Sequence, residues 1–455
     1  MRFSLATSCV AAIPLLSVPL LLGAAEPGYY RDVRPILNRS CTSCHQPAVK
    51  SSGLDLTTYA GFQAGGTRGP AFVAGSPEES LAVKFITGAM KPSMPLSGPS
   101  LPGGDIDAIR GWIKAGAKDD TPLEVTSAEP TVYHQPPVIT ALRFSPDGKF
   151  LAVGGNREIL LHNADGSGMA KRLQGDAERI LSIAFSADGK LMAAGGGTPG
   201  QFGEVQWWDA HEGKLLRTQK VSSDTVFGAA LSPDGAKVAV GCVDNTVREF
   251  ETATGKELYK IGGHENWPLG IVFGIDSKRL VSVGRDRAAK LIDANAGQFL
   301  ENVNQMRGEL TAVARHPNKD EIVIGGEDRV AYLYLMDRPR NMKVGEEATL
   351  VRMLEPQEGA IFALDWSPDG KRIAVAGAGP SVNLYDAETG ALTASCKGHS
   401  AGIYSVAFSP DSARLATGGF DGQVRLYRSA DCTLEKAFSP VPLVPSQGAG
   451  SGGIN

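Results

Sequence analysis

The chain has 455 residues, of which 21% are charged and 42% hydrophobic, and its formal net charge is −4. This length predicts more than one domain, and this composition is that of an ordinary soluble globular protein. The slight acidity argues against the basic face of a nucleic-acid-binding protein, and the chain offers no polybasic segment to an anionic membrane.

The first 25 residues have the parts of a secretory signal peptide. Arg2 gives a positive start, residues 6–22 are mostly apolar, and the small residues GAA precede Glu26. The alternative is an uncleaved membrane anchor, which the prolines and hydroxyl residues within the apolar stretch disfavour. We therefore expect cleavage after Ala25 and a periplasmic or otherwise exported protein with no stable membrane span.

The chain has six cysteines, and removal of Cys9 with the leader leaves five. Five is not the even number that a disulfide framework needs, so two cysteines with a dedicated role and three others are expected. Cys242 is typical of a small buried hydrophobic residue. Cys396 and Cys432 could pair in an oxidising compartment, but their spacing leaves that question open.

Residues 41–45 read CTSCH, which has four interpretations: haem attachment, a thiol redox pair, half of a zinc site, or chance. The chain's cysteine and histidine frequencies give roughly 0.001 chance occurrences. No βαβ pattern surrounds the motif, which disfavours a thioredoxin-like redox pair. No second Cys/His pair lies at zinc-ligand spacing, which disfavours a zinc site. Haem attachment is therefore predicted, with Cys41 and Cys44 adding to the vinyl groups as thioethers and His45 as proximal iron ligand.

A six-coordinate haem iron needs a distal ligand, for which methionine is a common choice. Residues 26–120 contain two methionines, Met90 and Met94. Met94 is favoured because Pro95 stiffens the loop that would present its sulfur, whereas Met90 lies near the end of an apolar, helical stretch. Both could instead fill a core, and a different or absent distal ligand stays open.

Two amphipathic helices are predicted to bracket this region, and each has one apolar face. These faces comprise Tyr29, Val33, Ile36 and Leu37 in residues 29–40, and Ile106, Ile109, Trp112 and Ile113 in residues 105–117. The two helices can pack on each other and shield one side of a haem. Trp112 is expected to be a core residue and not a redox relay.

The runs DVRPILNRSCTSCH, AGSPEESLAVKFI, MPLSGPSL and IDAIRGWIKAGA together resemble the planctomycete-type c-type cytochrome domain. The resemblance implies a small all-α, cytochrome c-like domain at residues 26–120 that holds one covalent haem c. It also implies thioethers at Cys41 and Cys44, axial His45, and Met94 in the distal position. This chain has MPL where many relatives have MPP.

Residues 121–137 mix proline, threonine and acidic residues without a period, which predicts a linker that could add an edge strand to the next domain. From residue 138 a pattern such as ITALRFSPDGKFLAVGG recurs at a spacing of about forty residues. Seven copies begin at residues 139, 180, 226, 268, 309, 360 and 402. Each has two apolar runs joined by a Ser-Pro-Asp-Gly-like turn, followed by two more runs, which predicts four strands of a propeller blade.

These copies resemble the WD-repeat family over residues 138–438. The resemblance rests on Gly263-His264, Gly398-His399, Trp208-Asp209, and the turn aspartates Asp244, Asp286, Asp328 and Asp421. It implies an all-β, seven-bladed propeller with hydrogen-bond networks inside its blades. The matching residues are His399, Thr417 and Asp421, and then His264, Ser282 and Asp286. The fifth copy departs from the pattern, with ARHPNKDE in place of the usual turn.

Residues 439–455 are rich in proline, glycine and serine, which predicts a disordered tail. The preferred function is an exported c-type cytochrome that carries single electrons, with the propeller as protein-interaction scaffold and an unknown redox partner. The alternatives are a redox enzyme whose propeller holds a substrate or second cofactor, and a haem-based sensor. For an enzyme, the histidines without a place in the repeat pattern are His162, His211 and His316.

Overall fold

The computed structural model describes residues 27–46, 49, 51–96, 99–120, 131–305, 307–338 and 348–444. They fall into two compact units, divided between residues 123 and 124. The leader predicted at residues 1–25 lies outside the described residues. Among the helices that are described, none is long and apolar enough to cross a membrane.

The first unit is small and helical. Its elements are a π-helical turn at Tyr29–Val33, α1 at Arg34–Ser40, α2 at Tyr59–Ala64, α3 at Leu81–Ile86 and α4 at Gly103–Lys114, with 3₁₀ turns at Ser51–Gly53 and Pro77–Glu79. Pro35 stands in the first turn of α1, where the missing amide breaks no helical bond. The helix α4 ends just before Gly116, whose φ of +100° suits glycine.

Both predicted amphipathic faces are buried in one core, which confirms the helical periodicity of the sequence. The centre of this core is aromatic, and Trp112 is 1% exposed within it. The Trp112 ring centroid lies 5.0 Å from that of Phe72 and 5.8 Å from that of Phe62. Trp112 is therefore a core residue, as expected, whereas Ile106 is only partly buried.

The second unit is built from short strands in seven four-stranded sheets. Blades one and two contain β1 Leu142–Phe144, β2 Phe150–Gly154, β3 Glu158–Asn163, β4 Met169–Gln174, β5 Arg179–Phe185, β6 Leu191–Thr198, β7 Phe202–Asp209 and β8 Lys214–Ser222. Blades three and four contain β9 Val226–Leu231, β10 Lys237–Cys242, β11 Thr246–Glu251, β12 Glu257–Gly262, β13 Pro268–Phe273, β14 Arg279–Gly284, β15 Ala289–Asp293 and β16 Gln298–Asn302. Blades five to seven contain β17 Leu310–Arg315, β18 Glu321–Gly326, β19 Tyr332–Leu335, β20 Leu350–Met353, β21 Ile361–Trp366, β22 Arg372–Gly377, β23 Val382–Asp386, β24 Leu392–Cys396, β25 Ile403–Phe408, β26 Arg414–Gly419, β27 Val424–Arg428 and β28 Leu434–Phe438.

Each blade is one continuous stretch of chain, because its four strands pair in sequence order. Neighbouring strands are antiparallel, as in blade one, where Val153 pairs with Leu142 on one side and Leu160 on the other. The second strand of every blade is buried along almost its whole length, since adjacent blades cover both of its faces. This architecture confirms the predicted seven-bladed, all-β propeller.

The predicted Ser-Pro-Asp-Gly turns join the first and second strands. In blade one the Ser145 hydroxyl donates to Asp147 Oδ1 at 2.6 Å and accepts from the amide of Phe150 at 2.9 Å. Gly148 takes a φ of +70°, which costs a glycine little. In the divergent fifth copy the Nδ1 of His316 accepts a hydrogen bond from the amide of Asn318 at 3.0 Å, so an imidazole supports this turn through a different main-chain contact.

Contacts between blades one and seven complete the ring. The amide of Ile139 donates to the carbonyl of Gly419 at 3.0 Å. The segments before and after the repeats also meet, because the amide of Val444 donates to the carbonyl of Tyr133 at 2.9 Å. Tyr133 and Leu443 form an isolated parallel bridge. Part of the segment predicted as a linker, 121–137, therefore pairs with the chain that follows the last blade.

Residues 439–444 pack on blade one, which differs from the expectation of a disordered tail beginning at Ser439. Val441 is buried with Tyr133 and Leu160 in a small apolar cluster. A ring nitrogen of His162 lies 2.9 Å from the carbonyl oxygen of Pro440. Composition suggested disorder because it averages over the segment, whereas a single apolar side chain that fills a gap is enough to order a few residues.

Cys396 and Cys432 form a disulfide, a pairing that their spacing left open. Cys396 ends β24 in blade six and Cys432 lies between β27 and β28 in blade seven, so the bond joins two adjacent blades. Cys242 is a fully buried free thiol, as expected, and burial raises its pKa to about 12.

Candidate functional site

The CTSCH motif forms a helical turn that continues from α1. The amide of Cys41 donates to the carbonyl of Leu37 at 2.8 Å, and the amide of His45 donates to the carbonyl of Cys41 at 3.1 Å. Residues three and four apart lie on one face of such a turn. The spacing of the motif therefore places Cys41, Cys44 and His45 side by side.

These three residues line one cavity of about 270 Å³. Most of its wall is apolar and comes from Leu37, Leu54, Leu56, Phe62, Ala71, Leu81, Ala82, Phe85, Ile86, Leu101 and Ile109. Met94 lines the same cavity, and Met90 is not among its lining residues. The structure thus brings all four predicted site residues together around one apolar space.

The hydrogen bond of His45 defines which ring nitrogen is free. Its Nδ1 lies 3.1 Å from the carbonyl oxygen of Ser51. Because a carbonyl can only accept, Nδ1 carries the proton and donates, which leaves a lone pair on Nε2. A bond of this kind is the usual support of a metal-binding histidine, since it fixes the tautomer and the ring orientation.

The two motif cysteines are free thiols. Burial, with a smaller contribution from the neighbouring Cys44, raises the pKa of Cys41 to about 11. A redox pair needs a cysteine of lowered pKa, because the thiolate is the reactive form. The environment of Cys41 therefore disfavours the thiol redox interpretation.

The zinc interpretation requires more ligands than the motif supplies. Across the described ranges, no group of three or more His, Cys, Asp or Glu side chains is close enough to hold a metal ion. A haem iron needs only two axial donors from the protein, and one imidazole and one thioether line this cavity. The donor set and the apolar wall fit a haem better than a bare metal ion.

Met94 follows α3 in a short loop. Its amide donates to the carbonyl of Phe85 at 3.0 Å, and its side chain is half-buried. Phe85 lines the cavity too, so this bond ties the Met94 loop to the cavity wall. Sequence reasoning did not identify Phe85 or Ser51, because neither carries a motif and both act through main-chain carbonyls.

Two blades contain the hydrogen-bond network that the WD resemblance implies. In blade seven His399 Nδ1 lies 3.0 Å from Asp421 Oδ1, and His399 Nε2 lies 2.7 Å from Thr417 Oγ1. His264 makes the corresponding contacts in blade four, at 2.9 Å to Asp286 and 2.7 Å to Ser282. Both predicted networks are confirmed.

The electrostatics of the blade-seven network favour a neutral imidazole and an ionised carboxylate. Burial lowers the pKa of His399, although the hydrogen bond to Asp421 opposes this. Burial alone would raise the pKa of Asp421, but the bonds that it accepts outweigh burial and lower it. The carboxylate therefore accepts from Nδ1–H, and Nε2 accepts from the Thr417 hydroxyl.

The remaining candidate histidines differ in burial and in hydrogen bonding. His211 is exposed, whereas His162 and His316 are buried and each has a main-chain partner. Burial lowers the pKa of both His162 and His316. Their hydrogen bonds therefore give them structural roles at the ring closure and in the blade-five turn.

Comparison with known families agrees with this division of the chain. The WD domain, G-beta repeat family matches residues 130–163, 213–251, 348–386 and 390–428. The family described as Planctomycete cytochrome C matches residues 41–97, a range that contains all four predicted site residues. Together with the seven sheets of the fold, these matches make the second unit a seven-bladed propeller with WD repeats.

The curated relatives match part of the chain. Autophagy-related protein 16 of Arabidopsis thaliana is 23% identical over 176 residues, which are 38% of this chain and 33% of that protein. Protein groucho of Drosophila melanogaster is 26% identical over 238 residues, or 51% of this chain and 30% of its own length. An uncharacterized WD repeat-containing protein of Schizosaccharomyces pombe is 23% identical over 225 residues, which are 41% of this chain and 36% of that protein. The chain thus spans about a third of the length of these relatives.

Proposed function

We propose that this protein is an exported c-type cytochrome, in which residues 26–120 bind one covalent haem and carry single electrons. The seven-bladed propeller would hold a protein partner near that haem. One observation carries the proposal: Cys41, Cys44 and His45 project from one turn into an apolar cavity that Met94 also lines. The match of residues 41–97 to Planctomycete cytochrome C gives it independent support.

Cys41 and Cys44 would retain the cofactor covalently. Each thiol adds across a vinyl C=C bond, so that a sulfur–carbon bond forms and the thiol hydrogen passes to the other vinyl carbon. The addition needs no oxidant, because no electrons leave the two reactants. Three residues within one turn can thus hold the porphyrin edge and the iron together.

The bound haem would supply a ferric–ferrous couple that gains and loses one electron. His45 would present Nε2 to the iron, held in orientation by the Ser51 carbonyl. Met94 would present its thioether, and a His/Met pair raises the reduction potential. An apolar wall around the haem would favour the less charged state of the iron.

Export is part of the same proposal and rests on two features. Residues 1–25 have the pattern of a signal peptide. The disulfide between Cys396 and Cys432 is of the kind that persists in oxidising compartments such as the periplasm. An exported protein also gains from covalent attachment, because a cofactor that dissociates outside the cytoplasm is lost.

The propeller would act by tethering. Residues 26–125 contain ten Lys and Arg against ten Asp and Glu, so total charge gives the haem domain no strongly charged docking face. A partner held by the propeller would instead be kept at high effective concentration near the haem.

The test is to express the full chain with a haem-maturation system and to measure covalent haem, its stoichiometry and its spectrum. We expect one haem per chain, a low-spin ferrous spectrum, and a methionine-to-iron charge-transfer band in the ferric form. Cys41→Ala/Cys44→Ala should carry no covalent haem and keep the circular dichroism of the propeller. Cys242→Ala, the matched control, should keep its haem. Export of the wild-type chain without haem would overturn the proposal, and a high-spin, ligand-binding iron would favour a sensor or an enzyme.

A further inference from the structure

Among the described residues that line the cavity of the motif, Arg68 is the one formally charged side chain, since no Asp, Glu or Lys is found with it there. Arg68 is exposed, and its polar contact is a long one of 3.4 Å to the carbonyl of Lys91. Among the ion pairs of the described residues it takes part in none, although carboxylates pair with most of the other arginines of this unit.

The loop that carries Arg68 is held in place by its backbone. Gly66 and Gly69 pair with each other across a tight turn. A Cβ on Gly65 would lie 2.2 Å from the carbonyl oxygen of Gly69, and a Cβ on Gly66 would lie 2.5 Å from that of Ser52. Both positions therefore need glycine, because a Cβ at either one would clash with a main-chain carbonyl.

The same loop is joined to the His45 side of the cavity. The amide of Thr67, next to Arg68, donates to the carbonyl of Ser52 at 2.7 Å. Ser52 follows Ser51, whose carbonyl orients His45. The Arg68 loop is thus fixed to the segment that sets the proximal imidazole.

The guanidinium of Arg68 reaches towards the Met94 side. Its central carbon lies 5.2 Å from the centroid of the Phe85 ring, a cation–π distance. The carbonyl of Phe85 accepts a hydrogen bond from the amide of Met94. Arg68 therefore lies at the margin of the cavity, between the elements that hold the two predicted axial ligands.

From this placement we infer that Arg68 pairs with a propionate carboxylate of the haem, an inference that rests on the proposed function. A haem carries two propionates, which are its only charged substituents, and they need a polar margin when the ring lies in an apolar cavity. A planar guanidinium matches a carboxylate with two parallel hydrogen bonds. The nearby hydroxyls of Ser51, Ser52 and Thr67, which also line the cavity, extend that polar margin.

This pairing has a measurable electrostatic consequence. A propionate that is paired with Arg68 has a lowered pKa and a neutralised charge. Without the guanidinium, the free carboxylate stabilises ferric over ferrous iron, so the midpoint potential falls. The unpaired propionate also titrates nearer neutral pH, so the potential should fall further as pH rises through that range.

The test compares Arg68→Gln with Arg110→Gln in the full, haem-loaded chain. Arg110 is a half-buried arginine of the same unit that pairs with Glu78 and does not line the cavity, so both variants remove one positive charge. We expect both to keep covalent haem. Only Arg68→Gln should lower the midpoint potential and make it fall with rising pH, and Arg68→Lys should recover part of the lost potential.

Coincident potentials and pH profiles for the two glutamine variants would overturn the role of Arg68 while leaving the cytochrome proposal intact. Absence of covalent haem from the wild-type chain would overturn both proposals. The stoichiometry of haem and the potential are separate measurements, so the two failures are distinguishable.

Discussion

The Nε2 of His399 lies 2.7 Å from the Thr417 hydroxyl oxygen, inside a blade where Thr417 is fully buried. Thr417→Val keeps the shape of the side chain and removes the hydroxyl donor, which leaves a buried imidazole nitrogen without a partner. We expect the propeller to lose about 1–3 kcal/mol of its free energy of unfolding. Unfolding followed by β-sheet circular dichroism measures the loss. Thr433→Val, at an exposed site, is the matched control, and equal effects at both sites would contradict the network.

Three buried histidines of the propeller, His162, His316 and His399, have a pKa that burial lowers from the ordinary value of 6.5. The unfolded chain therefore binds protons that the folded chain does not, and stability falls as pH falls below that value. We expect denaturation midpoints at about pH 5.5 to be lower than at about pH 7.5.

The paired carboxylates do not account for this loss, because the pKa values of Asp286 and Asp421 are lowered from 3.8 and their contribution disappears only in stronger acid. His211→Gln, at an exposed position, should show the same pH dependence as the wild-type chain. Stability that rises on mild acidification would argue against the buried neutral imidazoles.

Met94 and Met90 make a matched pair for testing the distal ligand. Met94 lines the cavity with His45, and Met90 does not. We expect Met94→Ala to abolish the methionine-to-iron charge-transfer band of the ferric protein and to lower its midpoint potential. Met90→Ala should leave both unchanged. If Met90→Ala loses the charge-transfer band and Met94→Ala keeps it, Met90 and not Met94 is the distal ligand.

The disulfide between Cys396 and Cys432 closes a loop with a sequence separation of 36 residues. Loop-closure entropy for that length predicts that Cys396→Ala/Cys432→Ala destabilises the propeller by about 3–4 kcal/mol. Chemical denaturation under non-reducing conditions measures the effect, and Cys242→Ala serves as a variant that keeps the disulfide. In the haem-loaded chain, alkylation of Cys396 and Cys432 together with Cys242 after denaturation without reductant would show that the bond does not form.

The repeats were predictable because the residues that form the turns and the hydrogen-bond network of a blade lie within that repeat. Turn residues such as Ser145 and Asp147 act within five positions, and the spacing from His399 to Asp421 repeats from His264 to Asp286. The helices of the first unit were also predictable, since their apolar period matches the face that is buried. In the repeats the residues that interact lie close along the chain, and in the helices the apolar period alone marks the buried face.

Other features depend on contacts that local patterns do not encode. The pairing of Cys396 with Cys432 depends on how two blades approach each other. The order of residues 439–444 depends on a gap beside Tyr133, about three hundred residues away along the chain. In the candidate site, the Ser51 carbonyl and the Arg68 guanidinium acquire their roles only when the loops fold around the cavity.

The ring closure has a consequence for the order of events during synthesis. The amide of Ile139 can form its hydrogen bond only after Gly419 has been synthesised. Likewise, the carbonyl of Tyr133 can accept its hydrogen bond only after Val444 has been synthesised. A growing chain makes the first partner of each pair early and the second near its end, so six blades emerge before the ring can close. Until then the flank of the first blade that meets the seventh stays open. Residues 439–444, which follow the seventh blade, thus pack on the first blade to be made.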